Sequence, residues 1–458
     1  MFNWRAPLLD FYDRRVMRSR VPEHREHLCA FHRRPVAERR VVQAERLADL
    51  LRHAAEHVPY YRTLLRERGV VTEGRVDLTR FRAVPELTRE ILRTQQEALT
   101  SDDLATRAWY ANSSGGSTGE PVRVLQDRAY EDLGFAAIDM HYAWAGRETG
   151  TPLIRLWGSD RDMAQQGDGW RNKLSNFVRN QTLQNAFRMS QADVARYVAE
   201  IQRVRPVVIE AYAESIYELA RHINANGIRV PPVKAVVSSA ATLYPFIREE
   251  VERAFGCPVL NRYGSREVGS FAGERPGAKG LEVFSYTHWV EVVNAQGEPC
   301  RPGEEGDVLV TCLTNHAMPL IRYRIGDRAV VGVAVEAPTP SVEVMETVTG
   351  RAVDALVRAD GSTVPGILFM YFLSVRFSGG WISKFQIVQR GYDDVLIKLM
   401  TLRPPPEGAI EEISQSLRHF LGPRCTIEYD FVDTIPALSS GKYSYVTSQV
   451  ARPELRRA

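Results

Sequence analysis

Between about residue 190 and residue 265, short apolar runs alternate with amphipathic helical stretches. The runs VVIEAY, VKAVVSS and CPVLNRYG begin at residues 207, 233 and 257, and each has the length and apolar content of a buried strand. The helical stretches between them end at Gly227 and Gly256. Strands and helices that alternate over short connections form a parallel sheet covered by helices. Ligands of such sheets bind at the carboxyl ends of the strands.

The segments on either side of this alternation have different patterns. Residues 1 to about 100 predict mainly helices, with one apolar stripe facing a core. Strand-like segments joined by Gly- and Pro-rich turns predict a smaller antiparallel sheet over residues 281–332. After Gly350, a hairpin, one amphipathic helix and a further strand predict a separate α+β unit. We therefore expect an α/β fold with a large domain over residues 1–350 and a small α+β domain over residues 351–458.

The composition argues against several kinds of partner and location. A net charge of only +3 gives no electrostatic basis for binding nucleic acid or a membrane surface. No window has the roughly 20 apolar residues of a membrane span, and the first residues do not predict a signal peptide. The five cysteines are widely spread without zinc-ligand spacing, which predicts reduced thiols. We expect a cytoplasmic monomer or homodimer.

One short motif raises the question of a metal site. The residues His53-Ala54-Ala55-Glu56-His57 fit the H-x-x-E-H pattern of inverted zinc proteases. Both histidines fall on the rim of an amphipathic stripe, and the sequence offers no further ligand at a suitable spacing. We interpret them as histidines on a helix surface.

A loop rich in glycine and hydroxyl side chains follows the first hundred residues. The nine residues SSGGSTGEP, which begin at Ser113, contain three glycines and four hydroxyls. Backbone N–H groups approach phosphate closely only where side chains are small, so such a loop can wrap phosphate oxygens. Its spacing is not that of a P-loop. On these residues alone, a plain surface turn explains the loop equally well.

A second motif, YGSREVG, follows the third predicted strand at its carboxyl end. Its aromatic residue, Tyr263, could stack on a base, and Glu267 could hold Mg²⁺ through a carboxylate oxygen. The same glutamate could equally be a solvated side chain after a strand. The position at a strand's carboxyl end favours a ligand site.

Two further motifs carry polar groups near the end of the chain. In RYRIGD, Asp327 stands in a tight turn where it can accept hydrogen bonds from the two hydroxyls of a ribose, although Gly-Asp also simply ends strands. In SSGK, Lys442 is one of only six lysines, since the basic residues are almost all arginine. A lysine on a Ser-Gly platform can reach a carboxylate or phosphate as a compact charge.

In this order, the four motifs resemble those of the adenylate-forming superfamily, which includes acyl-CoA ligases, firefly luciferases and peptide-synthetase adenylation domains. The phrases YGSREVG, AMPLIRYRIGD and IPALSSGKY are similar to the phenylacetate–CoA ligase branch, with its ligase-like proteins of capsule and natural-product biosynthesis. The resemblance extends from about residue 40 to residue 450. It implies an AMP-forming ligase that uses ATP and Mg²⁺, with a small mobile C-terminal lid domain.

The resemblance also assigns roles to individual residues. Lys442 and Glu267 are the implied catalytic residues; Lys442 would reach the acid and the α-phosphate, and Glu267 would ligate Mg²⁺. Tyr263 would lie against adenine, Ser265 near the α-phosphate, and Asp327 on the ribose hydroxyls. The implied nucleotide-binding residues are Ser114, Gly116, Ser117, Thr118, Gly119, Tyr263, Gly264, Ser265, Asp327 and Arg351.

The acid would bind at the ends of two predicted strands. The pocket residues expected there are Trp157, Tyr212, Ser238, Ser239 and Ala240. Three positions depart from the family pattern: Glu120 stands where many relatives have Lys, Ala241 where phenylacetate ligases have Glu, and Val353 in place of the first acid of a hinge pair. These departures leave the ATP site intact, but they leave the acid and its acceptor open.

Three functions remain in competition. The first is an acid–CoA ligase for a small, aromatic carboxylic acid, with coenzyme A as acceptor. The second keeps the adenylation chemistry but uses an amine acceptor, as an amide ligase does, or activates nitrite, as a diazotase does. The third is a non-catalytic nucleotide-binding protein of the same fold. Intact Glu267, Asp327 and Lys442 argue against the third.

Overall fold

The chain divides into two compact units. Met1–Leu243 and Ile247–Thr349 form the first unit, and Tyr244–Phe246 and Gly350–Ala458 form the second. The computed structural model describes residues 3–113, 122–157, 170–186, 191–333, 341–351, 355–359, 363–365, 369, 373, 381–435 and 445–450. Within these residues, no helix is both long and apolar enough to cross a membrane.

Helices dominate the first hundred residues. They are α1 (Arg5–Phe11), continued by a π-helical turn (Tyr12–Val16), α2 (Val21–Phe31), α3 (Val36–His57), α4 (Pro59–Glu67), α5 (Arg89–Thr94) and α6 (Gln96–Leu99), with 3₁₀ turns at Leu78–Ala83 and Leu104–Thr106 and a small ladder of β1 (Val71–Thr72) with β2 (Arg75–Val76). Leu47, Leu50 and Leu51 recur at helical spacing on α3, which places all three in the buried core. They share that core with Val290 and Val308 of the main sheet.

A hairpin and an eleven-stranded sheet make up the centre of the first unit. The strands are β3 (Trp109–Ser113), β4 (Arg123–Asp127), β5 (Leu153–Leu156), β6 (Gln181–Gln184), β7 (Val208–Tyr212), β8 (Ala235–Ser239), β9 (Val259–Ser265), β10 (Gly269–Glu274), β11 (Leu281–Val283), β12 (His288–Val293), β13 (Glu305–Cys312), β14 (Tyr323–Val331) and β15 (Val344–Arg351). The helices among them are α7 (Arg128–Trp144), α8 (Trp170–Val178), α9 (Gln191–Val204), α10 (Ala213–Ala225) and α11 (Pro245–Phe255). The strand order in the sheet is β12-β13-β14-β15-β11-β10-β9-β8-β7-β5-β6.

The parallel half of this sheet confirms the α/β fold expected from the alternating pattern. Strands β6, β5, β7, β8 and β9 are all parallel neighbours. Tyr212 pairs with Ser239, and Ser239 pairs with Arg262, so the carboxyl ends of three strands lie side by side. Helix α7 covers one face, where Tyr142 packs in a cluster with Val237 and Leu260.

The antiparallel strands continue the parallel half rather than standing apart from it. Strand β10 folds back on β9 as a hairpin, β11 pairs with β10, and β15 pairs with β11. Strands β12, β13 and β14 extend the same ladder. The reversal at Gly269 lets an antiparallel strand pair with the free edge of β9, so one sheet holds both patterns.

A buried ion pair fixes the chain that precedes α5 to this antiparallel region. The Arg322 guanidinium donates to both carboxylate oxygens of Glu291, at 3.0 and 3.1 Å, and both side chains are almost fully buried. It also donates to the backbone carbonyl of Val84 at 2.6 Å. The Leu87 N–H donates to the Arg322 carbonyl, and the Arg324 N–H donates back to Leu87. Arg322 thus satisfies polar groups that would otherwise be buried without partners.

The second unit confirms the α+β pattern expected near the end of the chain. Its elements are β16 (Ala355–Val357), β17 (Thr363–Pro365), β18 (Ile382–Gly391), β19 (Asp394–Thr401), α12 (Ala409–Leu421), β20 (Thr426–Phe431) and β21 (Val446–Ser448). The sheet order is β20-β19-β18-β21, with an antiparallel β18–β19 hairpin at its centre. Ile387 and Ile397 of the hairpin and Ile413 and Leu417 of the helix are buried, as alternating strands and an amphipathic helix require.

Removal of the Arg322 guanidinium should destabilise the first unit strongly. We expect Arg322→Ala to lower the free energy of unfolding by about 3–5 kcal/mol, because Glu291 would stay buried without its partner. Urea denaturation measures this change. Arg301→Ala removes an exposed arginine of the same unit and should cost less than about 0.5 kcal/mol. Similar small losses in both variants would contradict this role of Arg322.

Candidate functional site

The structure brings two of the sequence motifs into direct contact. The hydroxyl of Tyr263, near the end of β9, donates to a carboxylate oxygen of Asp327 at 2.7 Å. The Tyr263 ring lies 4.6 Å from the buried ring of Phe271, measured between centroids, and this contact holds it in place. The two motifs are 64 residues apart in sequence. Their contact places the expected adenine and ribose residues at one point.

A bulge in β14 presents Asp327. Asp307 of β13 pairs with Arg328, whereas Leu309 pairs with Arg324, so β14 has extra residues at this point of the ladder. Gly326 within the bulge has a φ of +89°, a conformation that glycine adopts at little cost. Bulges redirect side chains, and this one turns Asp327 toward Tyr263.

The turn that follows Tyr263 depends on two glycines. A Cβ at Gly264 would lie 2.4 Å from the Gly269 carbonyl oxygen and 2.7 Å from the Ser270 Cα, so only glycine fits there. Gly269 has a φ of +80°, and the hydroxyl of Tyr130 lies beneath it. The backbones of β9 and β10 therefore approach more closely than side chains would allow.

The hairpin β3–β4, whose strands flank the expected phosphate loop in sequence, is bonded to this same turn. Ser113 pairs with Arg123 at the end of the hairpin, so the segment 114–121 begins and ends there. The side-chain amide of Gln126 donates to the Arg266 carbonyl at 2.9 Å, and the side-chain amide of Asn112 donates to the Gln126 side-chain oxygen at 3.1 Å. The expected phosphate-binding residues Ser114, Gly116, Ser117, Thr118 and Gly119, and Glu120 beside them, lie outside the described residues.

The turn offers groups that suit a nucleotide and a hard cation. The carboxylate of Glu267 forms no hydrogen bond or ion pair within the described part of the chain, although the residue is only 8% exposed. Ser265 Oγ is buried, and no described residue is its hydrogen-bond partner. A carboxylate oxygen is the ligand type that Mg²⁺ prefers, and an unsatisfied hydroxyl suits a phosphate oxygen. Glu267 and Ser265 therefore have the groups that a nucleotide with bound Mg²⁺ requires.

A buried histidine supports the turn from below. The ring of His288 donates through Nε2 to the Val268 carbonyl at 2.7 Å, between Glu267 and Gly269. Its Nδ1 lies 2.9 Å from the Thr287 hydroxyl. Burial lowers the pKa of His288 to about 4, and the Val268 carbonyl only partly offsets that effect. The ring is thus held neutral beneath the turn.

Part of the expected acid pocket is also brought together. The rings of Trp157 and Tyr212, which follow and end neighbouring strands, lie 4.4 Å apart between centroids. Ser239 is in register with Tyr212, and its hydroxyl donates to the Arg262 carbonyl at 3.0 Å. Because side chains alternate between the faces of a sheet, Ser238 lies on the opposite face from Ser239. Its hydroxyl is buried without a partner among the described residues.

Ala240 follows β8 in a strained conformation. Its φ of +69° is in the left-handed region, which is unfavourable for residues with a Cβ. Strain of this kind concentrates at ligand sites, where the surrounding structure enforces it.

Sequence reasoning missed a charged cluster directly beneath these strand ends. Glu210 of β7 is fully buried and is paired with Arg155 of β5 and Arg262 of β9. The hydroxyl of Tyr142 on α7 donates to Glu210 at 2.7 Å. Burial alone would raise the pKa of Glu210, but the two guanidiniums lower it to about 2. The only signal in the sequence was a single acid inside the apolar run VVIEAY.

The two remaining expected residues of the nucleotide site are Lys442 and Arg351. Lys442 lies outside the described residues, as does Val353. Arg351 is the last residue of β15. Their roles remain as the resemblance implies them.

The H-x-x-E-H histidines lie close to an aspartate, but other partners engage all three residues. His53 contacts the His316 carbonyl through Nε2 at 3.0 Å, and His57 contacts Asp102 through Nδ1 at 3.0 Å. Asp103, the third residue of the cluster, accepts two hydrogen bonds from Arg107.

Comparison with known proteins supports the resemblance that the motifs suggested. The CapK C-terminal domain family matches residues 356–449. Protein CapK of Staphylococcus aureus is 21% identical over 416 residues, which cover 89% of each chain. A phenylacetate–coenzyme A ligase of Escherichia coli is 27% identical over 338 residues, 70% of this chain and 73% of that one. Over most of its length the chain is thus similar to CapK and to the phenylacetate–CoA ligases, the branch of the adenylate-forming superfamily that its motifs resemble.

This similarity confirms an AMP-forming ligase, the class that the four motifs predicted. A crystal structure of 2-hydroxyisobutyryl-CoA ligase in complex with R3-HIB-AMP has the same fold, with a TM-score of 0.67 and 17% identity over 91% of this chain and 90% of that one. The shared fold confirms the α/β architecture with its C-terminal domain.

Substitution of Gly264 should open the β9–β10 hairpin of this ligase. We expect Gly264→Ala to lower the free energy of unfolding by about 1–3 kcal/mol and to weaken ATP binding, because its Cβ would displace backbone rather than a flexible side chain. Urea denaturation and calorimetry measure the two effects. Gly134→Ala in α7, where a Cβ meets nothing within 4 Å, should instead be neutral or stabilise by up to about 1 kcal/mol. Unchanged ATP binding in Gly264→Ala would contradict this account.

The buried His288 ring should make stability depend on pH. As pH falls below 6.5 the unfolded chain binds a proton at His288, whereas the folded protein binds it only near pH 4. This residue therefore leaves stability unchanged above pH 6.5, and below it removes about 1.4 kcal/mol per pH unit, about 3 kcal/mol in all by pH 4.

The matched variant for this test is His288→Gln, whose amide can donate to the same Val268 carbonyl. Denaturation at pH 7.5, 6.0 and 5.0 should show a shallower loss of stability in the variant than in the wild type. Equal slopes would mean that other groups carry the pH dependence.

Proposed function

We propose that this ligase uses ATP and Mg²⁺ to activate a small, aromatic carboxylic acid as its acyl adenylate and then transfers the acyl group to coenzyme A. The single observation that carries this proposal is the convergence, at one turn, of two motifs and of the hairpin that flanks the third. Tyr263 contacts Asp327, and the hairpin that holds the segment 114–121 is bonded to the backbone at Arg266. A nucleotide with its phosphates toward that segment would meet all three.

The first half-reaction needs positioning and charge neutralisation more than proton transfer. A carboxylate oxygen of the acid attacks the α-phosphorus of ATP, the bond to the β-phosphate oxygen breaks, and pyrophosphate leaves with that oxygen. Mg²⁺, held by Glu267, would neutralise phosphate charge during this step. Tyr263 and Asp327 would fix the nucleoside, and Ser265 would contact the α-phosphate. Lys442 would supply a positive charge to the same phosphate and to the acid.

The pocket residues support an aromatic acid. Trp157 and Tyr212 form an edge of two contacting rings at the carboxyl ends of β5 and β7, and aromatic rings favour an aromatic partner. Ser239 and Ala240 stand beside Tyr212. The Escherichia coli relative is by name a phenylacetate–coenzyme A ligase, which agrees with this class of acid and with this acceptor.

An amine acceptor or nitrite as the activated oxyanion is the second candidate. Ala241 and Glu120 motivate it, because phenylacetate ligases tend to have Glu at the first position and many relatives have Lys at the second. An amide bond synthetase from Marinactinospora thermotolerans has a related fold, with a TM-score of 0.50. Because acid–CoA ligases and amide bond synthetases share this fold, the fold is compatible with either coenzyme A or an amine as acceptor.

One assay separates the candidates. ATP–pyrophosphate exchange and AMP release are measured over a panel of carboxylic acids and nitrite, each with and without coenzyme A or an amine. AMP release that requires an aryl acid and coenzyme A is the expected result. AMP release that requires nitrite or an amine would overturn the choice of acid or acceptor, and no AMP under any condition would leave only a binding protein.

Two substitutions test the assigned residues. Lys442→Ala should slow pyrophosphate exchange by about a hundredfold or more, the usual loss for one transition-state charge contact. Asp327→Ala should mainly raise the KM for ATP, since a ribose contact is equal in ground and transition states. Lys398→Ala removes another of the scarce lysines and should leave the exchange rate unchanged. Unchanged exchange in Lys442→Ala would rule out its role.

A further inference from the structure

A cavity of about 500 Å³ lies at the amino-terminal ends of the parallel strands, whereas the candidate site lies at their carboxyl ends. Leu153 and Gln181, the first residues of β5 and β6, line it, and so does Lys234, directly before β8. Trp157 follows the other end of β5, roughly 13 Å away at the rise of an extended strand. The cavity is therefore separate from the strand ends that carry the candidate site.

Four cationic side chains from separate segments converge on this cavity. They are Arg25 of α2, Arg147 after α7, Arg179 after α8, and Lys234. Within the described part of the chain, Arg179 is the member of this group that forms an ion pair, with Asp13 at 2.5 Å. The other three are not paired with any carboxylate there.

The hydrogen bonds of the other three cations go to neutral groups. Lys234 donates to the Gly146 carbonyl at 3.1 Å, and Arg25 donates to the Thr149 hydroxyl. Arg147 donates through Nη2 to the Thr151 and Arg179 carbonyls, at 3.0 and 3.1 Å. These bonds orient the side chains without neutralising them, so the positive charge stays available to a ligand.

The inner wall of the cavity holds two polar groups without partners. Arg147 Nε is buried and has no hydrogen-bond partner among the described residues. The carboxyl of Asp139 also lines the cavity and forms no hydrogen bond or ion pair with them. Burial raises the pKa of Asp139, and the guanidiniums of Arg147 and Arg179 oppose that rise. Buried polar groups usually have partners, so this guanidinium nitrogen is available to an acceptor bound in the cavity.

The charge of the lining sets the sign of that ligand. Three cations that are not in an ion pair with any described residue, Arg25, Arg147 and Lys234, face two carboxylates, Asp139 and Glu148, which leaves an excess of one positive charge when both carboxyls are ionised. Guanidinium groups bind oxyanions in a bidentate way, and the volume falls within the usual range of small-molecule sites. We propose that this cavity is a binding site for a small oxyanion of the phosphate or pyrophosphate class, with Arg147 on its buried side and Lys234 at its mouth.

The position of the anion can be tested directly with selenate, a tetrahedral oxyanion with a strong anomalous signal. Crystals of the full chain soaked in selenate should show an anomalous peak bounded by Arg147, Arg179 and Lys234. A structure at saturating selenate without a peak in this cavity would overturn the proposal.

Charge variants test the same site in solution, with inorganic phosphate as the titrant in calorimetry. Asp139→Asn removes the repulsive carboxylate and should tighten phosphate binding threefold or more, a gain that a damaged fold would not produce. Lys234→Glu should weaken binding at least tenfold. The matched control Lys279→Glu makes the same charge change at an exposed lysine elsewhere and should alter binding by less than twofold.

Two outcomes would contradict the site. One is unchanged affinity in Asp139→Asn, and the other is equal weakening by Lys234→Glu and Lys279→Glu. The inference does not rest on the proposed function, because this cavity lies at the amino-terminal ends of the strands and the candidate site at their carboxyl ends. ATP–pyrophosphate exchange in the same variants keeps the two apart: a failure of phosphate binding with normal exchange would affect this site alone.

Discussion

A single buried carboxylate, that of Glu210, ties together the part of the sheet on which the candidate site stands. Arg155 reaches it from the neighbouring strand β5, Arg262 from β9 on the far side of β8, and Tyr142 from the covering helix. A buried carboxylate without such partners would cost several kcal/mol, so the three groups must stay where they are. The cluster therefore fixes the relative position of β5, β7, β9 and α7 directly beneath the strand ends.

This constraint extends to the residue that is expected to hold the nucleotide. Side chains alternate along a strand, so the inward anchoring of Arg262 directs Tyr263 to the other face, where it meets Asp327. The Ser239 hydroxyl adds a bond to the Arg262 carbonyl and joins β8 to the same unit. The positions of the side chains expected to contact the nucleotide thus depend on the buried charges of Glu210, Arg155 and Arg262, which lie beneath the strand ends.

The turn from Gly264 to Gly269 shows how much of the site is backbone rather than side chain. The two glycines allow the strands to approach closely, Gln126 holds the carbonyl of Arg266, and His288 holds that of Val268. Each support comes from a different element of the first unit. A turn fixed in this way can present Ser265 and Glu267 without any rearrangement, which is the usual advantage of a preorganised site.

Local patterns predicted the parallel strands β7, β8 and β9, because an apolar run or a helix end depends only on residues that are neighbours in the sequence. They did not show that the antiparallel strands join the same sheet, because that depends on which free edge β10 meets. Strand β6 was not predicted, because its sequence, QTLQ, is mostly polar.

At the site, motif spacing identified Tyr263 and Asp327 as separate candidates, but no local pattern could reveal a contact over 64 residues. Gln126 and Glu210 were missed because a lone polar residue in an apolar strand is a weak signal until its partners are known.

The hairpin β3–β4 has a consequence for protein engineering. Ser113 and Arg123 are already paired across the ladder, so the ends of the segment 114–121 are held together whatever residues lie between them. Closing a loop on such a frame adds little entropy cost, and each doubling of its length costs only about 0.6 kcal/mol. The segment can therefore be exchanged as a cassette, and loops from related ligases can be grafted onto this hairpin while the strands beneath keep their register.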